Sequence, residues 1–346
     1  MHSPGGLSPL IALLEPIFES GKPLPEWEDQ DYELALKDIR LSGVGPQICH
    51  FLRRKGLLEE TPAFFRYALK QDYQQSLVQN LYIQKMEKEI LAAFDAAGIA
   101  VIPLKGPRLA ESYFGHMGAR PSSDIDLLVH PEDLRRAEQR VEALHFQKDK
   151  QVHNHVVLAK ATAPGQDPLA VELHWTLDKK NWSSLDDRRF WEEAAPIAGY
   201  RHVKELSPTH TLYFICLHGM RHRMDSMKYV MDIVQILMTA GERIDLGRLL
   251  KEAAADKTAK RVKIALSIAC GLFPELAASR SLPFPLVETA WTYSAIVKKQ
   301  TGVKDMEYYR YVSFFKFQIF DTLKHTIMSQ KQIYEHTAKY SSFEGN

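Results

Sequence analysis

The sequence predicts an α+β protein, a small mixed sheet set between helical N- and C-terminal regions. Three observations carry this reading. Both ends of the chain repeat apolar residues at helical spacing, while the middle holds short apolar or alternating runs of strand length. Those runs come in the order strand, helix, strand, helix and hairpin, which makes one small α/β unit. The expected division is a helical region over 1–97, an α/β core over 98–204 and a helical domain over 205–346.

Taken in order, MHSPGGLSPLIALLEPIFESG lacks a basic leader and carries Glu15 and Glu19 in its apolar part. It reads as a first helix and not as a signal peptide. LSGVGPQI (41–48) sits between two helical patterns. It is either a tight interhelical turn or the glycine-rich hairpin of a nucleic-acid-binding element, although no basic and aromatic groove accompanies it. Leu77, Leu81, Met86, Ile90 and Phe94 then mark one helix, with Gly98 as its stop. IAVIPL (99–104) is a first strand, followed by Lys105-Gly106-Pro107 and a helical RLAESYFG. DIDLLV is a second strand. PEDLRRAEQRVEALH opens a helix near Pro131 and keeps Leu134, Ala137, Val141 and Leu144 on one side.

HVVLAKA and LAVELHW, linked by APGQDP, read as an antiparallel pair. His153 and His155 fall at the start of that pair and read as surface residues. Ser207-Pro208 is an N-cap with proline at the first helical position. Gly241 closes a helix through VMDIVQILMTA, residues 306–335 form one long aromatic-rich helix, and the tail SSFEGN frays.

Hydrophobic residues make up 45% and charged residues 25%, the balance of a globular protein that buries its own core. Lys+Arg is 44 against Asp+Glu 43, a net charge of +1, so the global balance does not demand a polyanionic partner. Cys49, Cys216 and Cys270 are too few and too far apart for a disulfide framework, which fits a cytoplasmic setting. No apolar run is long enough to span a membrane.

The chemistry gathers in RPSSDIDLLVH, Arg120 to His130. Residues i and i+2 of a strand face one side, so Asp124 and Asp126 project together while Ile125 and Leu127 face the core. Two close carboxylates repel each other. Either the pair is solvated at a strand end or a divalent cation holds it. Glu172 occupies the same kind of position in LAVELHW, on the face opposite Val171 and Leu173. If the two strands are neighbours, three carboxylates cluster, and such a cluster can hold two Mg²⁺ or Mn²⁺ ions around an in-line phosphoryl transfer. His174, beside Glu172, reads as a partner of the acids within the cofactor-binding set. Lys105 and Gly106 lie at a strand-to-helix turn, where a backbone can approach a phosphate and a lysine can neutralise it. Arg120 has two alternative partners, a phosphate or the acid pair.

The order Lys-Gly, Arg-Pro-x-x-Asp-x-Asp and Glu-Leu-His-Trp resembles the bacterial nucleotidyltransferases of the polymerase-beta-like superfamily, in a subgroup known only as uncharacterised nucleotidyltransferases. The resemblance covers residues 95–180 well and His218–Leu237 more loosely. It implies that Gly106 is the glycine turn, Asp124 and Asp126 the metal pair and Glu172 the third acid. It also implies that His218, Lys228 and Asp232, with His222, line the cleft opposite the acids. His218 and His222 stand at i and i+4, but the glutamate of a zinc-protease motif is missing. One departure is that the wider superfamily places serine after the glycine, whereas here Lys105 precedes it and Pro107 follows. The expected activity is metal-dependent transfer of a nucleoside monophosphate from an NTP to an acceptor, with pyrophosphate leaving. A small molecule, sugar, peptide or protein is a better acceptor than nucleic acid. The alternatives are a nucleotide-binding or interaction module without turnover, and an Asp-x-Asp glycosyltransferase using an NDP-sugar.

Overall fold

The computed structural model describes residues 8–19, 21–152, 154–162, 167–275 and 282–331. Expectations for His153, for most of the APGQDP link and for the tail lie outside the described residues.

Five strands form one mixed sheet: β1 (Val101–Pro103), β2 (Asp124–Val129), β3 (Gln147–Gln151), β4 (His155–Lys160) and β5 (Leu169–His174), in the order β1-β2-β5-β4-β3. Only the β2–β5 pair is parallel; every other pair in this sheet is antiparallel. The expected hairpin is β4–β5, with His155 opposite His174 and Val157 opposite Glu172. Strand β3, QKDKQ, was not foreseen, because every one of its residues is exposed and it offers no apolar alternation.

The sheet has one apolar and one polar face. Ile125, Leu127 and Val129 of β2, Val171 and Leu173 of β5, and Val156 and Leu158 of β4 form the apolar face. It packs under α4 (Ala63–Ala96), through Ile83, Met86, Ile90 and Phe94, and under the helix Leu134–Glu142, through Ala137 and Val141. The polar face carries Asp124, Asp126, Glu172 and His174.

Helix α4 departs from its sequence reading in an informative way. Leu81 is 47% exposed, so it lies on the outer side. The buried stripe runs instead through Tyr73, Ser76, Asn80, Ile83, Glu87, Ile90 and Phe94. Three of its members are polar side chains that an apolar count cannot find.

The N-terminal helices Pro9–Phe18, Asp29–Ser42 and Gly45–Lys55 share one core with the C-terminal helices, which include Pro208–Arg221, Met227–Ala240 and Ala259–Leu272. LSGVGPQI forms a tight interhelical turn. Gly43 takes φ +66°, its N–H and that of Val44 close the preceding helix, and a Cβ on Gly45 would meet the Asp72 carboxylate. The expected single helix over 306–335 is broken. Met306–Phe317 ends, and helix resumes at 323–331. The break frees Asp321 to accept from the backbone N–H groups of Ala259 and Lys260 at 3.0 and 2.9 Å, capping another helix. Cys49, Cys216 and Cys270 are buried and unpaired. No helix among the described residues is long and apolar enough to cross a membrane.

The outward placement of Leu81 is directly testable. Phe94→Ala should lower the unfolding free energy by about 3–5 kcal/mol, because it empties the sheet core. Leu81→Ala should change it by less than about 0.5 kcal/mol in the same urea titration, as an exposed substitution does.

Candidate active site

The site is built from strand register. Asp126 of β2 stands opposite Glu172 of β5, and Asp124 stands opposite Ala170. Since i and i+2 share a face, Asp124, Asp126, Glu172 and His174 all project on the polar side. The hairpin register adds His155 of β4, directly across from His174.

Two cationic side chains lie among the three carboxylates. The Lys105 ammonium donates to Asp124 at 3.0 and 3.2 Å and lies 2.8 Å from Asp126 Oδ2. His174 Nε2 lies 3.1 Å from Asp126 Oδ1 and 3.2 Å from Glu172 Oε2. Each cation therefore bridges two acids, and Asp126 sits between both. The electrostatics follow. Burial works against the charged form of Lys105, but Asp126 and Asp124 outweigh it and hold the ammonium protonated well above the ordinary lysine range. Burial likewise opposes charge on His174, and hydrogen bonds to Asp126 and Glu172 overcome it and raise its pKa. Glu172, despite its burial, is drawn down to about 2 by His174. Asp126 is lowered against its own burial by Lys105 and then His174.

Lys105 reaches the acids from a turn that only glycine permits comfortably. Gly106 has φ +83° and ψ −149°, and the short helix Pro107–Leu109 starts from it. The Leu104 N–H donates to Asp126 O at 3.0 Å, which fixes this turn to the middle of β2.

Arg120 does not pair with either aspartate of the acid pair. Its Nε and Nη2 donate to the two carboxylate oxygens of Asp232, each at 2.8 Å. Both residues are almost wholly buried, at 2% and 1% exposure, so Asp232 does not line an open cleft. The pair ties the segment before Asp124 and Asp126 to the helix Met227–Ala240. Asn80 of α4 secures the same segment by donating to Met117 O and Arg120 O at 2.6 and 2.7 Å.

His218 and Lys228 lie at the junction of two helices, Pro208–Arg221 and Met227–Ala240, that faces the acids. Burial, followed by the Lys105 charge, holds His218 well below the ordinary histidine range. The half-buried Lys228 side chain makes no hydrogen bond or ion pair among the described residues, while its backbone N–H donates to Ser226 Oγ at 3.1 Å. Burial and the Arg120 charge bring it down to about 8. His222 is exposed and stacks on Tyr229 with ring centroids 5.4 Å apart.

Three residues escaped the sequence reading. His155 is not a surface residue. Its Nε2 is 3.4 Å from Glu172 Oε2, and burial lowers its pKa to about 4. Its position depends on the β4–β5 register, which no local pattern reports. Arg221 lies between the two histidines of HGMRH. It donates from Nη2 to Leu177 O at 2.6 Å, leaves Nε unpartnered, and feels the charges of Glu172 and Asp126. Glu87 of α4 is 3% exposed, and burial lifts its carboxyl to about 7. Asp126 and Glu111 add to that rise, against Arg108.

The carboxylate set suits a hard divalent cation. Asp126 Oδ2 is buried, with the Lys105 ammonium 2.8 Å away. Among the described residues, His155, Glu172 and His174 also converge closely enough to share an ion, as do Glu193, His210 and Glu252.

A mixed sheet with an Asp-x-Asp strand, a parallel neighbour bearing a third acid and a lysine-glycine turn is the arrangement of a nucleotidyltransferase. The chain belongs to the family described as "Uncharacterised nucleotidyltransferase", whose model matches residues 28–274. No curated protein matches it. Among solved structures it is similar to the antibiotic-resistance factor ANT(2'')-Ia. The solution structure of that factor is 17% identical, over 57% of this chain and 95% of that chain, with a TM-score of 0.33. Its crystal structure in complex with adenylyl-2''-tobramycin is 20% identical, over 51% of this chain and 96% of that one, with a TM-score of 0.34.

Glu87 yields a pH prediction. A carboxyl raised from its ordinary value of 4.5 to about 7 keeps its proton longer in the folded state. Its contribution is therefore complete below pH about 4.5 and is lost as pH rises through about 7. Glu87→Gln cannot lose that proton. The stability of Glu87→Gln minus that of the wild type, from urea melts, should grow by about 3 kcal/mol between pH 4.5 and 8.

Proposed function

We propose that this protein transfers a nucleoside monophosphate from an NTP to an acceptor nucleophile, releasing pyrophosphate, with Mg²⁺ or Mn²⁺ as cofactor. The observation that carries the proposal is the meeting of Asp124, Asp126 and Glu172 on one face of two parallel strands, with a protein cation lodged at each junction. Asp124, Asp126 and Glu172 would hold the metal. When bound, the metal supplies charge stabilisation to the transferring phosphoryl group and its leaving oxygen.

The chain's own groups divide the remaining work. Gly106 leaves the backbone bare at the start of a helix, where a phosphate can approach. Lys105, once free of the aspartates, is within its own side-chain reach of a triphosphate held at that turn. Lys228, whose half-buried side chain has no partner among the described residues, and Arg221, with its unpartnered Nε, add positive charge from the helical side. Glu172 would hold the metal on the acceptor side or help deprotonate the acceptor. The Arg120–Asp232 pair holds the acid strand in place rather than gripping phosphate. The acceptor is proposed as a small molecule, sugar, peptide or protein. A net charge of +1 and a Gly43–Pro46 turn closed against Asp72 both speak against nucleic acid. Family membership supports this reading over the NDP-sugar alternative.

One observation favours a second reading. Lys105 and His174 already neutralise most of the acid charge, so the fold needs no metal to persist. Under that reading the protein binds NTP without turning it over.

Pyrophosphate release measured with Mg²⁺, each NTP and a panel of acceptors separates the two. Turnover should appear in the wild type and fall by about 100-fold or more in Asp126→Asn. Calorimetric binding of NTP with no pyrophosphate from any acceptor would leave the binding module standing. Lys105→Ala should bind Mn²⁺ more tightly in the absence of nucleotide, because a competing cation is gone, yet lose NTP affinity. Unchanged Mn²⁺ affinity in that variant would contradict the competition.

A further inference from the structure

We infer that His155, Glu172 and His174 form a binding site for a borderline transition-metal cation of the Zn²⁺ class, next to the aspartate pair and chemically distinct from it. The argument is geometric. Both imidazole Nε2 atoms approach the same carboxylate oxygen, Glu172 Oε2, at 3.4 and 3.2 Å. Tetrahedral coordination with bonds of about 2.0–2.1 Å sets ligand atoms about 3.3 Å apart, so both separations match the edges of such a polyhedron. All three ligand atoms lie within 4.8 Å of one another.

The scaffold is rigid. His155 and His174 are cross-strand partners in the β4–β5 ladder, and Glu172 is two residues from His174 on the same face. None of the three depends on a loop.

The surrounding hydrogen bonds orient the ligands. His155 Nδ1 pairs with Asn154 Oδ1 at 3.3 Å. When Nδ1 carries the ring proton, Nε2 presents its lone pair to the Glu172 carboxylate, an encounter that a cation between them resolves. His174 Nε2 stands between Glu172 and Asp126, and a metal entering there replaces the ring proton, which passes to solvent. Two imidazoles and one carboxylate form a softer set than the three acids, favouring Zn²⁺ or Co²⁺ over Mg²⁺. The functional use of this ion, as the cation at the Glu172 end of the site, rests on the proposed nucleotidyl transfer, whereas its binding does not.

The test uses Co²⁺ as the probe on the full chain. Titration should give the visible d–d absorption of low-coordinate Co²⁺ at one equivalent, and added Zn²⁺ should abolish it. His155→Phe should lose the bands and weaken Co²⁺ binding by more than about 100-fold, since altering even an orienting partner costs 10–100-fold. His155→Asn serves the same purpose should the phenylalanine variant not fold. Asp124→Asn should keep the bands. An unchanged Co²⁺ spectrum in folded His155 variants overturns the inference. So does loss of the bands in His210→Phe with retention in His155→Phe, which would place the ion at the Glu193–His210–Glu252 cluster. Mg²⁺-dependent pyrophosphate release without any Co²⁺ signal defeats this inference alone. The His155-dependent signal without turnover upholds it and counts only against nucleotidyl transfer.

Discussion

The parallel pairing of β2 with β5 sets Asp126 beside Glu172 and concentrates three acids on one sheet face. Unit charges about 4 Å apart repel by about 4 kcal/mol at an effective dielectric of about 20, so uncompensated carboxylates here would strain the strand pairing itself. The fold answers from within the chain. Lys105 spans Asp124 and Asp126, and His174 spans Asp126 and Glu172. These contacts keep the acids ionised and in place, and they mark the positions where external cations would act. Any ligand that uses the carboxylates must displace or re-aim a protein cation. Under the proposed transfer, Lys105 would have two roles, counter-ion of Asp124 and Asp126 at rest and phosphate partner when a metal takes the acids.

The helical regions act as a frame for this face. Arg120 reaches from the segment before β2 into the helix Met227–Ala240, and Asn80 ties the same segment to α4. Gln235 and Thr239 both donate to Tyr113 O, securing the stretch after the glycine turn to that same C-terminal helix. A buried ion pair such as Arg120–Asp232 adds little net stability against a hydrophobic replacement, but removing one partner strands a charge in the core. Its value lies in fixing where the aspartate strand sits relative to the helical wall.

Much of this was legible in the sequence because it obeys short-range periodicity. DIDLLV and LAVELHW declare their two faces by alternation, and Lys105-Gly106-Pro107 declares a strand-to-helix turn. What escaped depends on partners far along the chain. His155 joins the site only through its register against His174, across a link that carries no pattern of its own. Asn80 and Glu87 lie on the buried stripe of α4, where polar residues replace apolar ones and the helical count slips onto Leu81. Arg120 offered a local choice of phosphate or neighbouring acids, while its actual partner, Asp232, is 112 residues away. Strand β3 is wholly exposed and has no hydrophobic signature.

The central claim is that the three carboxylates share a divalent cation once Lys105 leaves the aspartates for the phosphates of a nucleotide. Anomalous diffraction from crystals soaked with Mn²⁺ and a non-hydrolysable NTP tests it most directly. The account requires manganese peaks touching Asp124, Asp126 and Glu172, with the Lys105 ammonium moved onto phosphate oxygens. Manganese bound elsewhere, with Lys105 still seated between the two aspartates and the triphosphate absent from the Gly106 turn, would contradict it.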